Sequence, residues 1–441
     1  MTKGNQEEIK KGNFGRTTFL VIIYLLFLYG FQVPGVPFGS VLFAFGVLSI
    51  VAPYAYLRRP VRLGRMKASK MVRNYCYWNI FLLLYISVIL QLFGSGDGIT
   101  PLKDYSYMLI MLPVFYITGC CFFRNTKELM KILYIGVIIQ AFIIILALFL
   151  PTLTIALTLL FPEGAYNTDE QFGGMQYAIA EGYKIGLGVF SSAGSLKMAV
   201  GQIGACYYLI NSRGGAFGRH LLMYLLIALA SSLVARTGFL ISALGLLCVF
   251  IVKLKQGAKM GPVFLTFFAV FFGYFIITTI FPIRILDSVF QRLIDTAQNG
   301  IYETYFRGYS GEIGNNQIPP LSMETLIGLG ITYGVSGSGI TTITDGGFMR
   351  NYSAMGLIVA SINYIVIFVF FFKQFKACGS YENRGIILFM LLIFLVGEFK
   401  ESFIYYVSPM CFFFLIFYLF EKNEMALSYG NTIGSKVHPI V

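Results

Sequence analysis

The sequence predicts an all-α, polytopic integral membrane fold of about twelve transmembrane helices, on three observations. Of its 441 residues 57% are hydrophobic and only 12% charged, with a mean hydropathy of +0.74, a composition that water does not tolerate over the surface of so large a domain. Its apolar runs approach or exceed the ~20 residues that cross a hydrocarbon core as helix. Lys and Arg, finally, gather in short connections between those runs, as they do where positive charge sets membrane orientation.

The runs fall at about 17–33, 36–56, 75–94, 105–123, 130–150, 189–210, 220–235, 238–252, 262–283, 352–372, 385–399 and 404–420. The first follows Lys10, Lys11 and Arg16 without a small-residue cleavage site, and reads as a retained span. With the N-terminus inside, the cytoplasmic connections carry Arg58, Arg59, Arg62, Arg65, Lys67, Lys70 and Arg73, then Arg124, Lys127 and Lys131. Arg213 and Arg219 follow, then Lys253, Lys255 and Lys259, and last Lys373, Lys376 and Arg384. Both termini are therefore expected in the cytoplasm.

Residues 1–441 read as a single transmembrane domain with two long outer loops, 151–188 and 284–351. The larger, between spans nine and ten, holds no lysine, only Arg284, Arg292, Arg307 and Arg350 among acidic residues. Such a choice of planar, forked cation suits phosphate and sugar hydroxyls. Its first part, Ile283 to Tyr305, has apolar residues at helical spacing, and Gly308 to Gly347 is rich in Gly, Ser, Thr and Pro. No internal repeat of the transporter kind is visible.

The net charge of +13 reads as topology, so no nucleic-acid partner is expected. The seven cysteines lie in predicted spans or cytoplasmic connections and imply no disulfide framework. Two histidines, His220 and His438, and the absence of ligand spacing argue against a metal site, and no cofactor is expected. Walker A, zinc-protease and nucleophile-elbow motifs are absent.

Polar residues that interrupt this background are the candidates for chemistry. Arg236, in the run Ser231 to Gly238, sits at the tip of a helix hairpin, where a guanidinium either snorkels to the interface or reaches a diphosphate headgroup. Arg307 is flanked by Tyr305, Phe306 and Tyr309, rings that suit sugar faces; alternatively it pairs with Glu303. Asp345, in Asp345-Gly346-Gly347-Phe348-Met349-Arg350, is a candidate base or a turn residue. Glu398 stands near Lys400 and Glu401 at the end of span eleven, and Lys197 inside span six needs a partner or a headgroup. The sequon at Asn351 and the abundance of Met and Phe carry no functional weight.

Three features together resemble the superfamily of O-antigen polymerases (Wzy-type) and O-antigen ligases: the Ser-x-x-Ala-Arg-Thr-Gly hairpin from Ser232 to Gly238, the long outer loop with its interior Arg307, and the Asp345 to Arg350 motif ahead of a span containing Gly356. The motifs cover about residues 220–372. Ligases of this kind commonly carry a histidine near the last motif; here no outer loop holds one, and Asp345 stands in that neighbourhood, which favours a polymerase.

The resemblance implies a glycosyltransferase at the outer face of a bacterial inner membrane, joining undecaprenyl-diphosphate-linked oligosaccharide repeat units into surface polysaccharide. Arg236 and Arg307 would stabilise the departing diphosphate without a metal, and Asp345, or Glu398, would deprotonate the acceptor hydroxyl. Arg350, Lys197, Tyr305, Tyr309, Arg292 and Glu398 are the expected substrate contacts. Partners would be the lipid-linked sugars, membrane lipid and a polysaccharide chain-length regulator. A lipid-linked oligosaccharide flippase and an O-antigen ligase are the rival expectations.

Overall fold

The computed structural model describes residues 3–30, 66–93, 99–158, 186–188, 191–257, 321–332, 334–336, 340–342 and 346–434, with scattered positions between 46 and 57. In chain order the elements are α1 (Lys3–Tyr29), α2 (Lys67–Phe93), α3 (Ile99–Phe122), α4 (Thr126–Phe149), α5 (Pro151–Thr158), α6 (Ser191–Asn211), α7 (Gly215–Val234) and α8 (Arg236–Lys255). Then come α9 (Met323–Ile327), a hairpin of β1 (Gly334–Val335) and β2 (Thr341–Thr342), α10 (Gly347–Ala377), α11 (Tyr381–Lys400), a 3-10 turn (Phe403–Tyr405) and α12 (Val407–Gly434). Apart from that two-residue hairpin, the described fold is helical. Among the described residues, six helices are long and apolar enough to cross a membrane: α2, α3, α4, α7, α8 and α10. That is the pattern of a membrane-embedded protein.

The chain forms two compact units, one of Met1–Val51 with Phe123–Leu286, the other of Ala52–Phe122 with Asp287–Val441.

In the first unit α6 is the central helix, with α1, α4, α7 and α8 packed around it. Its Leu196, Met198, Val200, Ile203 and Leu209 are buried. Small residues let α4 come close: a Cβ on Gly204 would meet Met130 O at 2.6 Å and Tyr134 N at 2.7 Å. Asn125 caps α4 by accepting from Glu128 N at 2.9 Å. The ends of the bundle are tied differently. At one, Arg16 pairs with Glu128 at 3.1 Å, and Lys253 Nζ donates to Ile210 O at 2.8 Å and Ser212 O at 2.7 Å. Around these gather Arg124, Lys127, Arg213, Arg219 and Lys255, from the starts of α4 and α7 and the ends of α6 and α8. At the other end α1 finishes, α6 begins and α7 turns into α8.

The second unit has an aromatic core in which Phe371, Phe394, Phe403, Phe413, Phe414 and Phe417 pack edge to face or tilted. The Glu421 carboxylate of α12 accepts from Lys67 N at 2.6 Å and Ala68 N at 2.7 Å, satisfying free amides at the start of α2. Ser380 caps α11 by accepting from Asn383 N at 3.1 Å.

α10 is not one continuous helix. Gly356 breaks it at φ 77° and ψ 163°, a conformation that favours glycine. Chain from the loop fills the break: Leu329 N donates to Ser353 O at 2.7 Å and Gly330 N to Ala354 O at 3.1 Å, so carbonyls that lose their helical partners find others. Leu329 and Ile331 are fully buried there. The sequence reading expected one span over 352–372 preceded by loop; instead a short helix runs from Gly347 to the break, and a longer one continues beyond it.

Candidate functional site

In the second unit the short helix before Gly356 folds back on the longer one. Asn351 and Tyr364 stand 13 positions apart, a separation of ~20 Å along a straight helix, yet Asn351 Nδ2 donates to the Tyr364 hydroxyl at 2.7 Å. The contact continues into a buried polar chain. Tyr105 OH donates to Asn351 Oδ1 at 3.4 Å, Asn351 Nδ2 also donates to Gly347 O at 3.0 Å, and Tyr364 OH donates to Glu398 Oε2 at 2.8 Å. Ile404 N donates to the other carboxyl oxygen, Oε1. Asn351 and Glu398 are fully buried.

Gly347 belongs to this assembly because no larger residue fits: a Cβ there would collide with Glu398 Oε2 and would meet Glu401 O at 2.6 Å and Ser402 Cα at 2.8 Å. The second glycine of the Asp345 to Arg350 motif is thereby explained by close packing.

Arg350 lies one turn further along the short helix, half-buried, close enough to Asp104 of α3 and to Tyr406 to act on both electrostatically. Tyr406 OH donates to Glu401 Oε2 at 3.1 Å.

In the first unit, Arg236 is the first residue of α8; its side chain lies outside the described residues. α7 ends at Val234 and Ala235 adopts an extended backbone, so the hairpin has no loop to speak of. Gly238 lets α8 pass α7, since a Cβ there would strike the Ser231 carbonyl. The neighbouring Thr237 shares a hydrogen bond with Ser195 of α6 at 2.9 Å. Two residues on, Lys197 Nζ donates to Tyr29 O at 3.2 Å. Lys197 and Arg236 thus belong to the same end of one unit, and Arg350 and Glu398 to one neighbourhood of the other.

Arg292, Tyr305, Arg307, Tyr309 and Asp345 lie outside the described residues. Sequence reasoning missed Asp104, Tyr105 and Tyr364, whose only signal is a polar or phenolic group within or beside an apolar run. It also left Asn351 without a role beyond a sequon. Glu398, a candidate base and substrate contact from the sequence, accepts hydrogen bonds from a phenol and a backbone amide. Among the described residues, no three His, Cys, Asp or Glu side chains converge as a metal site.

No family model matches this chain, and no curated protein or solved structure matches it.

Proposed function

We propose that this protein polymerises lipid-diphosphate-linked oligosaccharide repeat units at the outer face of a bacterial inner membrane, as an O-antigen polymerase does. The observation that carries this is the end of the first unit where Lys197 and Arg236 belong together: an ammonium with one backbone carbonyl as its hydrogen-bond partner among the described residues, set in an apolar helical bundle. Intramembrane cations of that kind are costly and mark functional sites. The opposite end gathers Arg16, Arg124, Lys127, Arg213, Arg219, Lys253 and Lys255, which supports a cytoplasmic assignment there and an outer assignment for Lys197 and Arg236. Twelve spans with both termini cytoplasmic fit that orientation.

In the proposed reaction an acceptor sugar hydroxyl attacks the anomeric carbon of the donor. The new C–O bond forms as the bond to the diphosphate breaks, the electron pair leaves with undecaprenyl diphosphate, and the hydroxyl proton passes to a base. Arg236 and Arg307 oppose the growing charge on the diphosphate, and Lys197 and Arg350 hold anionic or hydroxyl groups of the substrates. Asp345 is the proposed base. Glu398, buried and already accepting two hydrogen bonds, is better suited to holding the short helix that presents Arg350.

A transporter of lipid-linked sugars is the second reading, favoured by the broken helix at Gly356, because unwound spans often line substrate sites in transporters. Glycan from a strain carrying Arg236→Ala, at wild-type membrane levels of protein, separates the two. Collapse of the polysaccharide ladder to one capped repeat supports polymerisation; loss of all surface glycan supports transport or ligation.

A further inference from the structure

We propose that Gln140 and Lys197 form an anion-binding pair in the first unit, built to hold one phosphate group; as the site of a lipid-linked diphosphate it rests on the function proposed above. The pair follows from helix register. α4 and α6 run antiparallel, and a Cβ on Gly201 would strike Val137. One turn further toward the end that holds Arg236 come Gln140 on α4 and Lys197 on α6, at heights that differ by ~1.5 Å given the rise per residue. Each lies about 40–60° around its helix from the Val137–Gly201 contact, at ~100° per residue.

α1 closes the third side. The Tyr24 ring occupies the space over Gly136, its hydroxyl lies 2.9 Å from a Cβ position on Gly201, and the Tyr29 carbonyl receives Lys197 Nζ at 3.2 Å. Gln140, four residues after Gly136, and Lys197, four before Gly201, therefore face the same three-helix groove.

The hydrogen-bond account of that groove is one-sided. Gln140 is fully buried, and its Oε1 accepts from Leu187 N at 3.3 Å, which fixes the amide's orientation. Its Nε2, with two N–H groups, has no hydrogen-bond partner among the described residues. Lys197 brings three N–H groups, and among the described residues the Tyr29 carbonyl is their one hydrogen-bond acceptor. A buried orphan donor is rare and asks for an explanation. A phosphate oxygen answers both residues at once, because it accepts several hydrogen bonds and carries the opposite charge that a half-buried ammonium in an apolar bundle calls for.

The same phosphate chemistry is available from a lipid headgroup or from free phosphate. The test is calorimetric titration of the full-length protein in detergent with two probes, undecaprenyl phosphate and inorganic diphosphate. One equivalent of undecaprenyl phosphate should bind. Lys197→Met and Gln140→Leu should each weaken it at least about tenfold, Lys197→Arg only slightly, and Gln140→Glu should abolish it by opposing the charge. Binding of both probes, weakened by the same variants, supports a site that reads the phosphate itself; binding of the lipid alone supports a headgroup site.

Gel filtration and an unchanged melting temperature separate lost binding from lost fold, and the charge-retaining Lys197→Arg and the charge-adding Gln140→Glu differ clearly in the size of their effect even if one truncation unfolds. Wild-type affinity in Lys197→Met and Gln140→Leu, or failure of both probes to bind the wild type, overturns the pair. Because the titration contains no sugar, phosphate binding without polymer formation would leave the pair standing and remove the polymerase proposal alone.

Discussion

The Tyr364 hydroxyl donates to Glu398 Oε2 at 2.8 Å, joining the second half of α10 to the end of α11 through a carboxyl group that is fully buried. Asn351 and Ile404 N complete the chain, so one acidic side chain holds the short helix carrying Arg350, the long helix and the turn before α12.

Tyr364→Phe removes one donor from a buried acceptor and should destabilise the protein by about 1–3 kcal/mol. Glu398→Leu should cost as much or more, while the double variant should cost clearly less than the sum, because the hydroxyl and the carboxyl group no longer leave each other unpaired. Chemical denaturation of the detergent-solubilised protein measures this; additive losses would mean that the two side chains do not depend on each other.

Gly347→Ala forces a methyl group against Glu398, Glu401 and Ser402, and should lower stability by about 1–3 kcal/mol. Gly218→Ala, in open space on α7, should be neutral or raise stability by up to about 1 kcal/mol. Melting temperatures of the two variants should therefore move in opposite directions or differ clearly in size.

Gly356→Ala meets both a positive φ and the backbone at Ile327, and should cost ~1–3 kcal/mol or more. The loss should appear locally, as faster hydrogen exchange at Leu329 and Gly330, whose amides bond to Ser353 O and Ala354 O across the break. Unchanged protection at those amides would show that the loop does not depend on the broken helix.

Cys378 follows the last residue of α10. Burial, with Glu424 nearby, pushes its thiol up to about 12, Arg384 opposing. In a variant keeping Cys378 as its sole cysteine, alkylation at pH 8 should be much slower than in the denatured chain, rising with pH toward about 12. The linkage has a definite sign: the unfolded thiol ionises first, so its contribution to stability falls as pH rises from ~8.5 toward the folded value.

Much of the helical layout was legible because apolar runs and basic connections obey length and charge rules that need no tertiary knowledge. The runs at 130–150 and 238–252 became α4 and α8, and Lys253 and Arg213 mark the end where basic residues gather. The break at Gly356 was not legible: hydropathy continues across it, and a glycine inside an apolar run is common in membrane helices. Gln140 was visible only as one amide among aliphatic residues. Its orphaned Nε2 depends on where Leu187 returns, 47 positions later. Lys197 was singled out by charge alone, because a cation in a span is conspicuous whatever it touches.

The central claim is polymerisation, and the most direct measurement supplies purified protein in liposomes with an undecaprenyl-diphosphate-linked repeat unit, then reads product length by mass spectrometry. The proposed chemistry predicts products at whole multiples of the repeat with release of undecaprenyl diphosphate, lost in Arg236→Ala. Repeat units recovered unextended, or moved across the bilayer without any new glycosidic bond, would contradict it.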